Sequence, residues 1–423
     1  MSLDTLERVR SGRGPLERCT GDPESFLAND WGKQAAVRRG GPLPATVASA
    51  TPASATPASA TPASATLAPT GFEDLLSLDD VDRFLTTAAL RTPFFRLVKA
   101  GAQIPESAYT RSGRTGSREV TGIANPARVA ALFEDGATIV LQGLHRWSDP
   151  VARFCRDLEL ELGHPCQVNA YITPPGAQGL DLHEDGHDVF VLQAFGRKHW
   201  EVHAAPAEAE RDPLDVEVTS GDTIYMPAGT PHAARAQDVL SGHLTVGIHV
   251  TPWREVLTGV VGRMTADMDD PVAAGWTEDV DGFADELRGR LAALASALGE
   301  VDVRTSAGER RERFLSNRAQ LARGTIAERA VPIVVDDDTV VARRPGAMCE
   351  IALRGDRLVV LLGDRRLEMP AWVERAMRLL ADLDEDGELV VRALDVGLSD
   401  PASRSVLVRR LVREGLLTIR DGR

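Results

Sequence analysis

Two short stretches of this 423-residue chain combine histidine and carboxylate side chains with turn residues, and they restrict the possible folds more than any other feature. The first, LDLHEDGHDVFVLQAFGRKHWEVH, covers residues 180–203, and the second, GDTIYMPAGTPHAA, covers residues 221–234. The first contains His183 and Asp185 as H-x-D, and the second supplies His232. Two imidazoles and one carboxylate on a single face leave coordination positions open on a bound metal, as in non-haem Fe(II) sites. The sequence therefore predicts that His183, Asp185 and His232 bind one metal ion.

Two local structures could present the first stretch, and each predicts a different class of enzyme. His183 to His187 spells H-E-x-x-H, which binds zinc in proteases only when it lies on a helix. Asp185-Gly186 is a typical turn pair, and Val189–Leu192 is a β-branched and aromatic run that we expect to end at Gly196. Alternating strand residues share a face, so a strand also places His183 and Asp185 on the same side. We favour the strand and keep a zinc metalloprotease as the alternative.

The second stretch has the spacing G-x5-P-x-G-x2-H from Gly221 to His232. It predicts a strand over residues 223–226, a Pro-x-Gly turn, and a new strand that begins at the histidine. This spacing resembles the second conserved motif of the cupin superfamily. The H-x-D in the first stretch departs from the H-x-H of many cupins and resembles the JmjC-type 2-oxoglutarate oxygenases. The chain also resembles the bacterial and eukaryotic ribosomal oxygenases in four further segments: NAYITPPGAQG, FVLQ, GRKHW and SGHLT.

The resemblance implies an α+β fold. Its core is a double-stranded β-helix, or cupin/JmjC jelly-roll, followed by a helical dimerisation module and a C-terminal winged-helix domain. The expected divisions are an N-terminal segment (1–44), a disordered Ala/Thr/Pro/Ser repeat linker (45–70), the catalytic barrel (71–252), the helical module (253–330) and the winged-helix-like domain (331–423). The linker assignment comes from the residues themselves, because a repeated A-T-P-A-S unit cannot bury enough apolar surface to order itself.

The resemblance also implies the cofactors Fe(II), 2-oxoglutarate as cosubstrate, and O2. The reaction would hydroxylate a protein side chain, Arg or His of a ribosomal protein, with release of succinate and CO2. Lys198 matches the lysine of the GRKHW segment, and we expect it to bind the far carboxylate of 2-oxoglutarate. Asn169, Tyr171 and Thr245 are weaker candidates for hydrogen bonds to the cosubstrate. A demethylase reaction would use the same iron site and stays open.

All nine histidines lie between His145 and His249, which concentrates the metal chemistry in this part of the chain. We expect His243 to line the barrel and support the ligands. The other histidines of the motifs are expected not to bind the metal: His187, His199, His203 and His249.

Local patterns predict further elements of secondary structure. They are a helix that starts at residues 77–80, a strand at 137–141, a helix at 147–161, a strand at 167–173, helices within 253–320, a hairpin at 351–369, helices at 370–383 and 400–415, and a strand at 416–420.

Composition limits the partners. The net charge of −14 argues against non-specific nucleic-acid binding, and residues 331–423 hold 17 acidic residues against 15 arginines, so DNA binding by the winged-helix-like domain is not expected. No apolar run is long enough to span a membrane.

Four cysteines without C-x-x-C spacing predict a cytoplasmic protein with reduced thiols. We expect a homodimer, and a non-catalytic cupin or winged-helix binding protein remains an alternative.

Overall fold

The computed structural model describes residues 14–40, 71–177, 181–203, 213–384 and 387–420. The predicted repeat linker at 45–70 lies outside the described residues. The chain divides into two compact units, Met1–Val250 and Thr251–Arg423. Among the described residues, no helix has both the length and the apolar content needed to cross a bilayer.

The first unit contains short helices around one large sheet. Its elements are α1 (Pro15–Thr20), α2 (Pro23–Asn29), β1 (Ala36–Arg38), α3 (Leu78–Thr86), β2 (Phe95–Lys99), β3 (Ala102–Gln103), β4 (Thr110–Thr115), β5 (Arg118–Ala124), α4 (Pro126–Glu134), β6 (Thr138–Leu141), α5 (Asp149–Leu162), β7 (Cys166–Thr173), β8 (Asp188–Val202), β9 (Leu214–Thr219), β10 (Thr223–Met226) and β11 (His232–Ile248).

Helix α3 begins where the sequence predicts. Ser77 is its N-cap, and the side chains of Ser77 and Asp80 each accept a hydrogen bond from the other residue's backbone N–H. This capping box satisfies N–H groups that the first turn would otherwise leave without acceptors. The buried side chains of Val81 and Phe84 then attach the helix to the apolar core of the unit.

The large sheet has nine strands in the order β1-β10-β8-β11-β7-β6-β2-β3, with β9 paired to β8. All of its pairings are antiparallel. The two long strands β8 and β11 pair with each other and with strands on both sides, which is the jelly-roll arrangement that the motifs predict. Strand β1 extends the sheet at its β10 edge, so part of the N-terminal segment belongs to the barrel sheet.

Strand β8 does not end at Gly196, so that prediction is wrong. The strand continues to Val202, and Gly196 adopts a φ of +67° at a point where the pairing with β11 shifts register. A Cβ atom on Gly196 would lie 1.8 Å from the carbonyl oxygen of Leu240. The glycine therefore lets a long strand bend, and a sequence pattern cannot distinguish that role from a strand end.

The second unit has helices first and a mixed helix-and-sheet region after them. Its elements are α6 (Trp253–Met264), α7 (Val280–Gly299), α8 (Val303–Ser316), α9 (Thr325–Arg329), β12 (Val340–Arg343), β13 (Glu350–Arg354), β14 (Arg357–Leu361), β15 (Arg366–Pro370), α10 (Glu374–Ala381), β16 (Glu388–Val390), α11 (Pro401–Arg413) and β17 (Leu417–Arg420). The hairpin expected at residues 351–369 is a three-stranded sheet, β13-β14-β15, and β12 lies between β16 and β17 in another.

Candidate active site

The three predicted ligands meet at one point of the first unit. One ligand atom from each of His183, Asp185 and His232 lies within 4.8 Å of the other two. The imidazole rings are 4.4 Å apart between centroids, and Nε2 of His232 lies 3.9 Å from a carboxylate oxygen of Asp185. Two nitrogen donors and one oxygen donor on a single side fit an iron site with open positions.

Backbone carbonyls fix the tautomers of both histidines. Nδ1 of His183 lies 2.8 Å from the carbonyl oxygen of Asp181, and Nδ1 of His232 lies 2.9 Å from that of Thr230. A carbonyl oxygen can only accept, so each Nδ1 carries the proton and each Nε2 keeps a lone pair for a metal. Burial lowers the pKa of His232, which favours this neutral, metal-binding form.

Hydrogen bonds hold the two motif stretches together. The backbone groups of His183 and His232 exchange two hydrogen bonds of 3.1 and 2.8 Å, and the N–H of Gly229 donates to the carbonyl of Asp185 at 2.8 Å. His183 thus lies in an isolated bridge, and regular strand structure starts only at Asp188. The strand predicted for H-x-D is thus reduced to this bridge, but residues 183–187 are non-helical and the ligand atoms of His183 and Asp185 still lie on one side.

The H-E-x-x-H alternative is therefore wrong. The zinc-binding form of this pattern needs a helix, and no helix forms at residues 183–187. Nε2 of His187 lies 3.3 Å from the amide nitrogen of Gln167, and its ring contacts His249 edge to face. Neither His187 nor His249 is part of the ligand cluster.

A cavity extends from the ligands into the barrel. Apolar side chains form much of its wall: Val98, Val140, Val189, Val191, Met226 and Ala234. Lys198 lines the same cavity and is only 2% exposed, and its Nζ donates to Thr173 Oγ1 at 3.1 Å. Burial lowers the pKa of Lys198 to about 7. A lysine in this position provides a cation for an anionic ligand inside an otherwise apolar wall.

The other predicted cosubstrate residues divide into two groups. Tyr171 and Thr245 line the cavity. Asn169 lies opposite Thr245 in the sheet, but the structure does not place it in the lining, and its Oδ1 accepts the backbone N–H of Gly143 at 2.9 Å. The expectation that Asn169 contacts the cosubstrate has no support in this geometry.

Sequence reasoning missed several side chains around the cavity. Trp200 lines it and stands edge to face with His243, whose ring stacks on Tyr171 at 5.2 Å. Arg96 hydrogen-bonds Tyr171, whose pKa is raised by burial. Trp200 could have been found from the GRKHW segment, whereas the Arg96 contact depends on the distant strand β2 and has no local signal.

The polar groups of the cavity can contact a small anionic molecule next to the ligand cluster. Within the described parts of the chain, the buried Nε1 of Trp200 and Nδ1 of His243 have no hydrogen-bond partner. Burial lowers the pKa of His243 well below its usual value, so the ring is neutral. Buried polar atoms are seldom left unsatisfied, so these atoms together with Lys198 indicate a place for a bound polar molecule.

Comparison with known proteins is consistent with this geometry. Residues 144–256 match the family described as the JmjC domain. This segment, which includes the second half of the barrel and all three candidate ligands, is thus similar to a JmjC domain. Ribosomal oxygenase 1 of Gallus gallus is 30% identical over 195 residues, which are 42% of this chain and 31% of that protein. The bifunctional lysine-specific demethylase and histidyl-hydroxylase NO66 of Branchiostoma floridae is 33% identical over 150 residues, 35% of this chain and 24% of that protein.

The match to the chicken protein spans about a third of that protein's length. These relatives confirm the predicted similarity to JmjC-type ribosomal oxygenases. A solved structure supports the fold: YcfD, a ribosomal oxygenase from Escherichia coli in complex with cobalt and 2-oxoglutarate, aligns with a TM-score of 0.52 at 18% identity. That alignment covers 95% of this chain and 99% of YcfD. The JmjC-like segment thus has the jelly-roll fold that the motifs indicated.

Proposed function

We propose that this chain is an Fe(II)- and 2-oxoglutarate-dependent oxygenase that hydroxylates a protein side chain and releases succinate and CO2. The observation that carries the proposal is the convergence of His183, Asp185 and His232 in the lining of a cavity that also contains the buried Lys198. The relatives named ribosomal oxygenases, and the cobalt and 2-oxoglutarate of the YcfD complex, support the same chemistry.

His183, Asp185 and His232 would hold the iron, which supplies the activation of O2 once 2-oxoglutarate is bound. Lys198 would pair with the far carboxylate of 2-oxoglutarate, and Thr173 orients the lysine through its hydrogen bond. Tyr171 and Thr245 face the same space and offer hydroxyl groups. The apolar wall excludes water from the reacting groups, which strengthens the ionic contact with Lys198.

An Arg or His side chain of a ribosomal protein is the substrate we propose, in line with the relatives' names. Hydroxylation is preferred to demethylation because most of the relatives compared are named ribosomal oxygenases.

We also propose that a second copy of the chain pairs through α6 and α7. Neither helix contains a buried residue, and large apolar side chains of both are exposed, among them Trp253, Leu257 and Leu291. A 20-residue helix gains little from its own hydrogen bonds in water, so an exposed apolar face requires a partner surface.

Residues 331–423 are proposed as a winged-helix-like domain that docks protein or supports the fold. Arginines there pair with carboxylates, as in Arg404–Asp337 and Arg365–Glu414, so they are poorly available to phosphates.

A cytoplasmic location is proposed as well, because no cysteine of the described residues forms a disulfide.

Anaerobic titration of the full chain with Fe(II) and 2-oxoglutarate tests the proposal. We expect a visible metal-to-ligand charge-transfer band, and succinate formation when O2 and a ribosomal-protein peptide are added. Mass spectrometry should find one added oxygen on that peptide. A chain that binds iron but gives neither the band nor succinate would contradict the proposal and favour a non-catalytic cupin.

Glu184→Gln provides the matched control for the protease alternative. The residue is exposed and is not one of the three ligands, so succinate formation should stay within about twofold of the unmodified chain, as for most surface substitutions. Loss of all activity in Glu184→Gln would instead indicate a general base, as in the H-E-x-x-H proteases.

A further inference from the structure

A buried aspartate that is not a metal ligand lies directly behind the metal-binding turn. Asp188, the first residue of β8, is 5% exposed. One of its carboxylate oxygens accepts the backbone N–H of Ala228 at 2.9 Å, and the other accepts the hydroxyl of Tyr225. Charge-assisted hydrogen bonds of this kind are stronger than those between neutral groups.

Ala228 belongs to the Pro-x-Gly turn that leads to His232. The N–H of Thr230 donates to the carbonyl of Pro227 at 3.2 Å, which closes the turn. The carbonyl of Thr230 in turn fixes Nδ1 of His232. The carboxylate of Asp188 therefore holds one end of a short, closed turn whose other end orients a metal ligand.

Tyr225 connects this carboxylate to the segment before the barrel. Its hydroxyl donates to Asp188 and accepts the backbone N–H of Gly32 at 2.8 Å. Phe26 packs edge to face against its ring at 4.8 Å, which holds the ring in place. Burial and the negative charge of Asp188 raise the pKa of Tyr225, so its hydroxyl stays protonated and keeps donating.

We propose that Asp188 and Tyr225 are positioning residues for the metal site, through which the N-terminal segment at Gly32 sets the geometry of His232. The path runs from the Gly32 N–H to the Tyr225 hydroxyl, then to the Asp188 carboxylate and the Ala228 N–H. Groups that hydrogen-bond a metal ligand directly affect metal affinity about 10- to 100-fold. Asp188 acts one turn further away, through the N–H of Ala228, so its effect should lie at the lower end of that range. The inference rests on the metal site of the proposed function.

Cobalt(II) titration of the full chain, followed by visible absorption, tests this inference without turnover. We expect Asp188→Asn and Tyr225→Phe each to weaken cobalt binding about 10-fold, the lower end of the range for groups that contact a metal ligand directly. Both variants should also change the intensity of the cobalt absorption bands, because His232 would no longer be held in one orientation. If Asp188→Asn does not fold, Tyr225→Phe decides the question.

Tyr109→Phe is the matched control. Tyr109 is also a fully buried tyrosine of the same unit, and its hydroxyl is not part of the path to Ala228. We expect its cobalt affinity and spectrum to match those of the unmodified chain. If Tyr225→Phe and Asp188→Asn lower the melting temperature but share the affinity and spectrum of Tyr109→Phe, the residues only stabilise the fold and the inference is overturned.

Failure of the proposed function gives a different result. An unmodified chain that binds cobalt but forms no succinate would contradict the proposed reaction. The cobalt affinities of the Asp188, Tyr225 and Tyr109 variants would still test the positioning role. An unmodified chain that binds no cobalt would overturn both.

Discussion

The barrel and the helices α6 and α7 use apolar residues in opposite ways. In the barrel, apolar side chains are buried around a few polar groups, and Lys198 is 2% exposed. In α6 and α7, Trp253 is 77% exposed and Leu291 is 56% exposed. The barrel thus completes its own core and can hold buried charges in place, whereas α6 and α7 depend on a surface outside themselves. Substitutions in the barrel should change ligand binding, and substitutions in the helices should change association.

The largest effect is expected from His232→Ala. Structural metal sites gain about 10–16 kcal/mol from four ligands, so one ligand contributes about 2.5–4 kcal/mol, or about 60- to 700-fold in affinity. Cobalt titration should show this loss, together with loss of succinate formation. The chain should keep its oligomeric state, and a simultaneous loss of the dimer would contradict the separation between the two regions.

Lys198→Met should weaken the binding of 2-oxoglutarate without weakening the binding of the metal. Removing one partner of a buried charge pair costs about 2–5 kcal/mol, so the affinity for 2-oxoglutarate should fall about 100-fold. Cobalt affinity in the absence of 2-oxoglutarate should change little, because Lys198 is not one of the ligands. Equal loss of cobalt binding would show that Lys198 supports the fold of the site.

The sequence predicts the parts of this site that depend on local motifs, and it does not predict contacts between residues that are distant in the chain. His183, Asp185 and His232 are predictable because each lies in a local motif with fixed spacing. Asn169 is not, because alternation along β7 gives the face of a residue but not its partner, which is the N–H of Gly143. The partner of Asp188 is equally hidden, since it lies 40 residues away in the chain.

The same limit applies to the fold. Pro-x-Gly followed by histidine predicts the end of β10 at Met226 and the start of β11 at His232, both as observed. The sequence predicts a strand end at Gly196, whereas its left-handed conformation accompanies the close approach of Leu240, which no local pattern contains. Local rules therefore predict turns well and long bent strands poorly.

The pH dependence of 2-oxoglutarate binding should report the burial of Lys198. Burial lowers its pKa to about 7 in the ligand-free chain, and the protonated form is the one that pairs with a carboxylate. Above that pH, binding must take up a proton, so affinity should fall about tenfold per pH unit, until the higher pKa of the bound state is reached. Below about pH 7, Lys198 should contribute no pH dependence.

Calorimetry of the cobalt-loaded chain in buffers of different ionisation enthalpy would measure this proton uptake. Lys198→Arg is the control, because a guanidinium stays charged throughout this pH range. Titration of residue 198 should therefore cause no pH dependence in the affinity of this variant for 2-oxoglutarate. A profile that declines equally in Lys198→Arg would assign the pH dependence to another group.

The smallest effect is expected in the helices, where it should appear only in association. Leu287 and Leu291 are one turn apart on α7, and both are exposed, so a charge placed there would be buried if a second copy covers this face. Leu291→Asp should therefore weaken the dimer about 5- to 150-fold, since an uncompensated buried polar group costs about 1–3 kcal/mol. Analytical ultracentrifugation over a range of concentrations would measure the change.

Leu353→Asp is a suitable control for that experiment. Leu353 is also an exposed leucine of the second unit, but it lies on β13 and not on α6 or α7. Its variant should dimerise like the unmodified chain, and both variants should bind cobalt and 2-oxoglutarate normally. If Leu291→Asp leaves association unchanged, the exposed face of α7 is not the dimer surface. If it instead weakens cobalt binding, the barrel is not independent of the helices, and the contrast between the two regions no longer describes the protein.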